Sequence, residues 1–165
     1  MYVKNNVPAD SPWYDRSFHN HRLLRVLESV RAEHGEGAVA ELYFAFGERI
    51  HDNGEGLIDP APSLEACSLP AHHAAAFDDD TFDTAIKVSM DEGLALTGND
   101  VGTPILGFDN AIGKRVGFFG PVISRRLVHA DALQMWDGIM AMATIDSFWE
   151  LKRTRTESPN FTPVE

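Results

Sequence analysis

Val101-Gly102-Thr103-Pro104 is the segment with the most to say about chemistry, because it leads a proline straight into a β-hairpin pattern, Ile105 to Phe108 and Val116 to Phe119. Proline lacks a ladder donor and is confined to strand starts, edges and bulges, so Pro104 opens its strand. Taken alone it reads as an ordinary trans proline, since only about 5–6% of such bonds are cis in folded proteins. Cys67 is the single cysteine, which excludes an internal disulfide and an internal Cys-x-x-Cys pair. With Leu64, Glu65, Ala66 and Leu69 around it and no neighbouring cation, Cys67 reads as a packed structural thiol. Seven histidines and the run Asp78-Asp79-Asp80 raise the question of a metal. Adjacent His72 and His73 are expected to point to different helix faces, and His19 and His21 also diverge, so no metal site is expected. The acidic run lacks the glycine and distal glutamate of a calcium loop and suits helix capping. Lys152, Arg153 and Arg155 form the one basic cluster, able to grip a phosphate or to pair with the acidic surface. No phosphate loop or nucleophile elbow occurs.

The elements that must position these residues can be read from spacing. Pro8 to Trp13 is an extended lead-in, and Tyr2-Val3 is the tail of a strand. Ser17 is the expected cap of a helix whose apolar stripe is Leu23, Leu24, Val26, Leu27 and Val30, ending near His34-Gly35. A second helix, Gly37 to His51, is apolar on several sides and should be sandwiched between other elements. The loop Gly54 to Pro62 is the expected hinge. Ser63 should cap a turn running through Cys67, and Pro70 should open the next helix. A helix with Phe82, Ala85, Ile86, Met90 and Leu94 on one face should end at Thr97-Gly98. The hairpin turns over Asp109 to Gly113, a helix covers about His129 to Thr144, and Pro159 and Pro163 mark a weakly ordered tail.

The totals narrow the function. A length of 165 residues suits one domain, or a small core with a helical insertion. The net charge of −11 disfavours nonspecific binding to nucleic acid or anionic membranes. No membrane span and no signal peptide are recognisable, so the expected location is the cytoplasm.

The order of helices, Asp100-Val101-Gly102-Thr103-Pro104, hairpin, Phe118-Phe119-Gly120-Pro121-Val122, helix and Glu150 to Glu157 resembles the actinobacterial DsbA-like thioredoxin-fold proteins, among them the mycothiol-dependent nitroreductases. Gly47-Glu48-Arg49-Ile50-His51 is also similar to that family. The resemblance spans almost the whole chain. It implies a thioredoxin core interrupted by a helical domain, a Cys-Pro-x-Cys motif ahead of the first core helix, and a cis Thr103–Pro104 peptide. Gly102, Thr103 and Pro104 would bind an extended substrate or mixed disulfide as an added strand. The dithiol motif is not in this sequence, and on the resemblance Met1 falls near the end of the second core strand. The expectation is therefore a chain that lacks the N-terminal Cys-x-x-Cys segment, through a downstream start or a truncation.

The resulting expectation is an α/β, predominantly helical protein: a partial thioredoxin-like fold, hairpin plus C-terminal helix, with a DsbA-type helical domain. Its parts are a lead-in at 1–16, a helical insertion domain at 17–98, the C-terminal part of the core at 99–151 and a tail at 152–165. By resemblance it is of an oxidoreductase lineage acting in thiol-disulfide or mycothiol-dependent reduction, with a small-molecule or thiol substrate. Without the dithiol it is expected to be inactive alone. The alternative is a noncatalytic binding module that homodimerises through an exposed strand edge. A third reading is a small-ligand pocket among Trp13, Tyr43, Phe44 and Phe46.

Overall fold

The computed structural model of the protein describes residues 6–110 and 112–162, so the strand end read at Tyr2-Val3 and the tail at Pro163 lie outside the described residues. The described chain is predominantly helical with one two-stranded antiparallel sheet. It divides into two compact units, Met1–Met90 and Asp91–Glu165.

The first unit is built on α1, Tyr14–Gly47. The helix begins before Ser17 because Ser11 already starts it: the Trp13 N–H donates to Ser11 Oγ and the Tyr14 N–H to the Ser11 carbonyl. What the spacing divides into two helices is one helix kinked at Gly35, whose φ of 77° and ψ of −173° are open to glycine alone without strain. Leu23, Val26, Leu27 and Val30 before the kink and Val39, Leu42 and Phe46 after it follow a helical stripe, and all are buried. Ile58 and Leu64 close this core. The later part of α1 is not sandwiched, since Tyr43 is 62% and Phe44 75% exposed. Trp13 is exposed as well while Phe46 sits in the core, so the four aromatics do not converge on a pocket.

A π-helical turn, Glu48–Asp52, ends this helical path. The Gly54 to Pro62 loop is anchored instead of hinged. The Arg49 guanidinium donates to the Glu55 carboxylate at 2.7 and 2.9 Å, to the Asp59 carbonyl at 2.7 Å and to Ser63 Oγ at 3.1 Å. Helix α2, Ala61–Ala66, has Pro60 as its N-cap, and Asp59 Oδ1 just before it accepts from the Ala61 N–H, so the buried Ser63 is not its cap. Two 3-10 segments follow, Ala71–Asp78 and Asp80–Phe82, before α3, Asp83–Thr97. Asp79 caps the second 3-10 segment by accepting from the Thr81 N–H and hydroxyl. Asp83, at the start of α3, receives Arg25 Nε at 2.6 Å and Nη2 at 2.8 Å, and His21 Nε2 lies 2.8 Å from the same carboxylate. Both Arg25 and His21 are buried, so α1 and the head of α3 are joined by a paired charge cluster.

The second unit contains the end of α3, the strands β1, Ile105–Asp109, and β2, Arg115–Phe119, and α4, His129–Ala143. The register pairs Ile105 with Phe119, Gly107 with Gly117 and Asp109 with Arg115. Side chains alternate across a strand, so Ile105, Gly107, Gly117 and Phe119 share one face. Leu96 of α3 lies on that face, and the facing glycines make room for it: a Cβ on Gly117 would stand 2.6 Å from Leu96 Cβ. On the other face Phe118 packs edge-on against Phe108 and Phe148. The hairpin turn is held by Asn110, whose Oδ1 accepts from the Ile112 and Lys114 N–H groups, with Gly113 at φ 76°. In α4 the apolar positions are only partly covered, and Leu133 and Trp136 remain about half exposed. The tail is tied back to the segment ahead of α4: Arg125 forms a two-pronged pair with Glu157, and the Asn160 N–H donates to the Ser124 carbonyl.

Candidate functional site

The segment carrying Gly102, Thr103 and Pro104 is delivered by a helix end. Gly98 adopts φ 86° and its N–H donates to the Leu94 carbonyl, which stops α3 and releases the chain into the non-helical segment 99–104 that leads to β1. Gly102 lies against the Phe119 ring, where a Cβ would stand 3.8 Å from Cε2. Thr103 and Pro104 are exposed, and the Thr103–Pro104 peptide is cis. The Pro104 carbonyl accepts from the Gly120 N–H at 2.8 Å, which carries the ladder one pair past β1 and β2. Gly120 itself precedes a second cis proline, Pro121, so both cis peptides sit at the same end of the hairpin.

The ladder also fixes which backbone groups stay available. Pro104 bonds to Gly120 and the Asn110 N–H bonds to the Lys114 carbonyl, so the even-numbered positions of β1 form the hydrogen-bonded pairs. Ile105 and Gly107 therefore turn their N–H and C=O groups to the opposite edge of β1, which pairs with no strand among the described residues. An exposed proline turn thus opens onto a short run of backbone donors and acceptors that no strand among the described residues pairs. Such an edge can hold an extended ligand by main-chain hydrogen bonds, with neighbouring side chains setting the fit.

The other candidates fall elsewhere. Cys67 is part of the first unit, half-buried against its core, where burial and the nearby Glu41 carboxylate push its thiol up and away from the reactive thiolate. His19 donates from Nε2 to the Ile58 carbonyl at 2.9 Å, and burial lowers its pKa. It borders a shallow cleft of about 420 Å³ with Asp59 and Phe77. Lys152, Arg153 and Arg155 are exposed.

His72 and His73 correct the sequence reading. Their ring centroids are 4.2 Å apart and both Nε2 atoms face the Glu33 carboxylate, at 3.2 and 3.8 Å. Divergence on a helix assumes that the side chains leave radially. Here the Ala71–Asp78 segment packs against α1, and both rings lean toward the acid there. Glu33 and His34 escaped notice in the sequence, although Glu33-His34 and His72-His73 are two dyads of ligand-type residues on neighbouring elements.

No helix among the described residues is long and apolar enough to cross a membrane. Residues 10–153 match the Rv2466c-like family model, described as mycothiol-dependent nitroreductase Rv2466c. The matched stretch runs from the head of α1 through the hairpin and α4 and includes Gly102, Thr103 and Pro104. The chain therefore belongs to the Rv2466c-like family of mycothiol-dependent nitroreductases.

Proposed function

We propose that Gly102, Thr103 and Pro104 are the substrate-binding part of a thioredoxin-type site for mycothiol-dependent reduction. The observation that carries this reading is the exposed Thr103–Pro104 turn beside the free backbone edge of Ile105 and Gly107. On this reading 99–151 is the C-terminal part of a thioredoxin-like core, 17–98 a helical domain inserted in it and 152–165 a tail. The partner is a small thiol, and the protein works in the cytoplasm, where such thiols are kept reduced. A single cysteine among 165 residues supplies no dithiol, so binding is assigned to this chain and turnover to a dithiol that it does not itself carry.

Titration with mycothiol disulfide, followed by backbone NMR, tests the assignment. Shifts should cluster at Val101 to Leu106, and Pro104→Ala should weaken binding about tenfold, the loss of one or two oriented hydrogen bonds. The hairpin resonances of the variant report whether it is still folded. Shifts centred elsewhere, or an affinity that ignores Pro104→Ala in a folded hairpin, would sink the assignment. The chain alone should give no nitroaromatic reduction with mycothiol.

The free edge of β1 also favours a second reading, a noncatalytic module in which two copies pair through that edge. Sedimentation at micromolar concentration separates the two. A dimer whose Ile105 to Asp109 amides gain protection supports the second reading, and a monomer rejects it.

A further inference from the structure

We propose that Glu33, His34 and His73 form a binding site for a divalent transition-metal ion of the zinc class, linking α1 to the Ala71–Asp78 segment. One ligand atom from each of the three lies within 4.8 Å of the other two. The individual separations are 3.1 Å between His34 Nε2 and His73 Nε2, 3.8 Å from His73 Nε2 to Glu33 Oε2, and 3.9 Å from His34 Nε2 to the same oxygen. Ligands about 2.0–2.1 Å from a tetrahedral zinc are about 3.3 Å apart, so the observed spacings bracket that value and need shifts of only a few tenths of an ångström.

The chemistry of the donors agrees with their spacing. Two imidazoles and one carboxylate suit zinc and its first-row neighbours better than magnesium or calcium, which favour all-oxygen sites. His73 is wholly buried, and its Nδ1 lies 2.8 Å from Ser29 Oγ. With Nδ1–H donating to that hydroxyl, Nε2 keeps its lone pair and points at His34 and Glu33, the outer-shell arrangement that orients a ligating histidine. His72 Nε2 stands 3.2 Å from the second Glu33 oxygen and steadies the carboxylate.

The backbone also prepares the site. Gly35, the one residue of α1 with non-helical angles, directly follows His34, so Glu33 and His34 sit at the end of a helical run, where the dipole favours positive charge. Glu33 and His34 are 53% and 33% exposed, which leaves an entry path and a fourth position for water or a ligand. Nothing in this site depends on the Thr103–Pro104 segment, so the two proposals stand or fall separately.

The test is calorimetric titration of chelator-treated protein with Zn²⁺, repeated with Co²⁺ to read its visible absorption. One ion per chain is expected, with a four-coordinate cobalt spectrum and, at about a hundredfold excess over Kd, a Tm raised by about 5–10 °C. Glu33→Gln and His34→Gln alter exposed side chains, so they should fold. Each should weaken binding at least tenfold, whereas His72→Gln should cost less and His51→Gln nothing. No binding below about 100 µM zinc would overturn the proposal, as would an affinity unmoved by Glu33→Gln and His34→Gln, which would place the ion on other residues.

Discussion

Asp83 shows how one side chain can hold two elements together. Its carboxylate takes both prongs of Arg25 and faces His21, while Asp79 and Asp80 add negative charge near the same guanidinium. Arg25 is 6% exposed and cannot recover its hydration where it stands, so removing its partner leaves a buried charge unpaired. Complete burial of such a pair would put the loss at about 3–5 kcal/mol. The Asp83 side chain is 38% exposed, which screens the interaction and brings the expected cost of Asp83→Asn to about 2 kcal/mol. The hydrogen bonds from Arg25 hold the Asp83 carboxyl below its ordinary value of 3.8 in the folded chain. The unfolded chain thus takes up this proton first. The stabilisation is fully present above about pH 4 and is lost as pH falls through the lower, folded value. Urea midpoints measured from pH 7 down to pH 3 should drop steeply at the acid end for the native chain. They should drop less steeply for Asp83→Asn, and parallel curves would refute this account.

Among the elements, the hairpin and α3 meet through absence of side chains. A Cβ at position 117 would stand 2.6 Å from Leu96 Cβ and 3.1 Å from the Leu106 carbonyl oxygen, and neither atom can swing aside. Gly117→Ala should therefore cost about 1–3 kcal/mol by forcing α3 off the sheet. At Gly107 the nearest obstacle is the mobile Leu96 Cδ1 at 2.8 Å, so Gly107→Ala should cost less. Gly138, in α4, has open space around its Cβ direction, and Gly138→Ala should stabilise by about 0.5–1 kcal/mol. Thermal melts of the three variants must fall in that order. The elements themselves were largely legible in the sequence, because the hairpin's turn residues, the stripe in α1 and the Thr97-Gly98 stop are local patterns. The Gly107–Gly117 pairing was not, since register exists only once the strands meet. Nor was the kink, because a glycine that ends a helix and one that bends it look alike until the flanking turns are packed. The proline turn could be found by its type and order. The Glu33, His34 and His73 cluster could not, because its members are brought together by α1 lying on the Ala71–Asp78 segment.

Across the whole molecule, apolar burial is uneven. Of the twelve buried apolar residues among those described, eleven precede Met90, and Ala143 alone lies beyond it. In the second unit Phe119, Val122, Leu133, Trp136, Ile145 and Trp149 are all exposed. Each fully buried Leu or Val side chain contributes about 1.5–3 kcal/mol, so the first unit holds most of the hydrophobic stabilisation. Cooperative stability should follow the same division. Native-state hydrogen exchange should place the amides of Leu23 to Val30 and Val39 to Phe46 at the global unfolding free energy. The amides of β1, β2 and α4 should exchange by local opening at least tenfold faster than those of α1. A proline turn beside an unpaired strand edge binds an incoming strand most readily if the surrounding sheet can adjust. Mycothiol disulfide should slow exchange at Ile105 to Asp109 and leave the amides of α1 unchanged. If the hairpin already exchanges as slowly as α1 in the free chain, both the uneven stability and the adaptable edge are wrong.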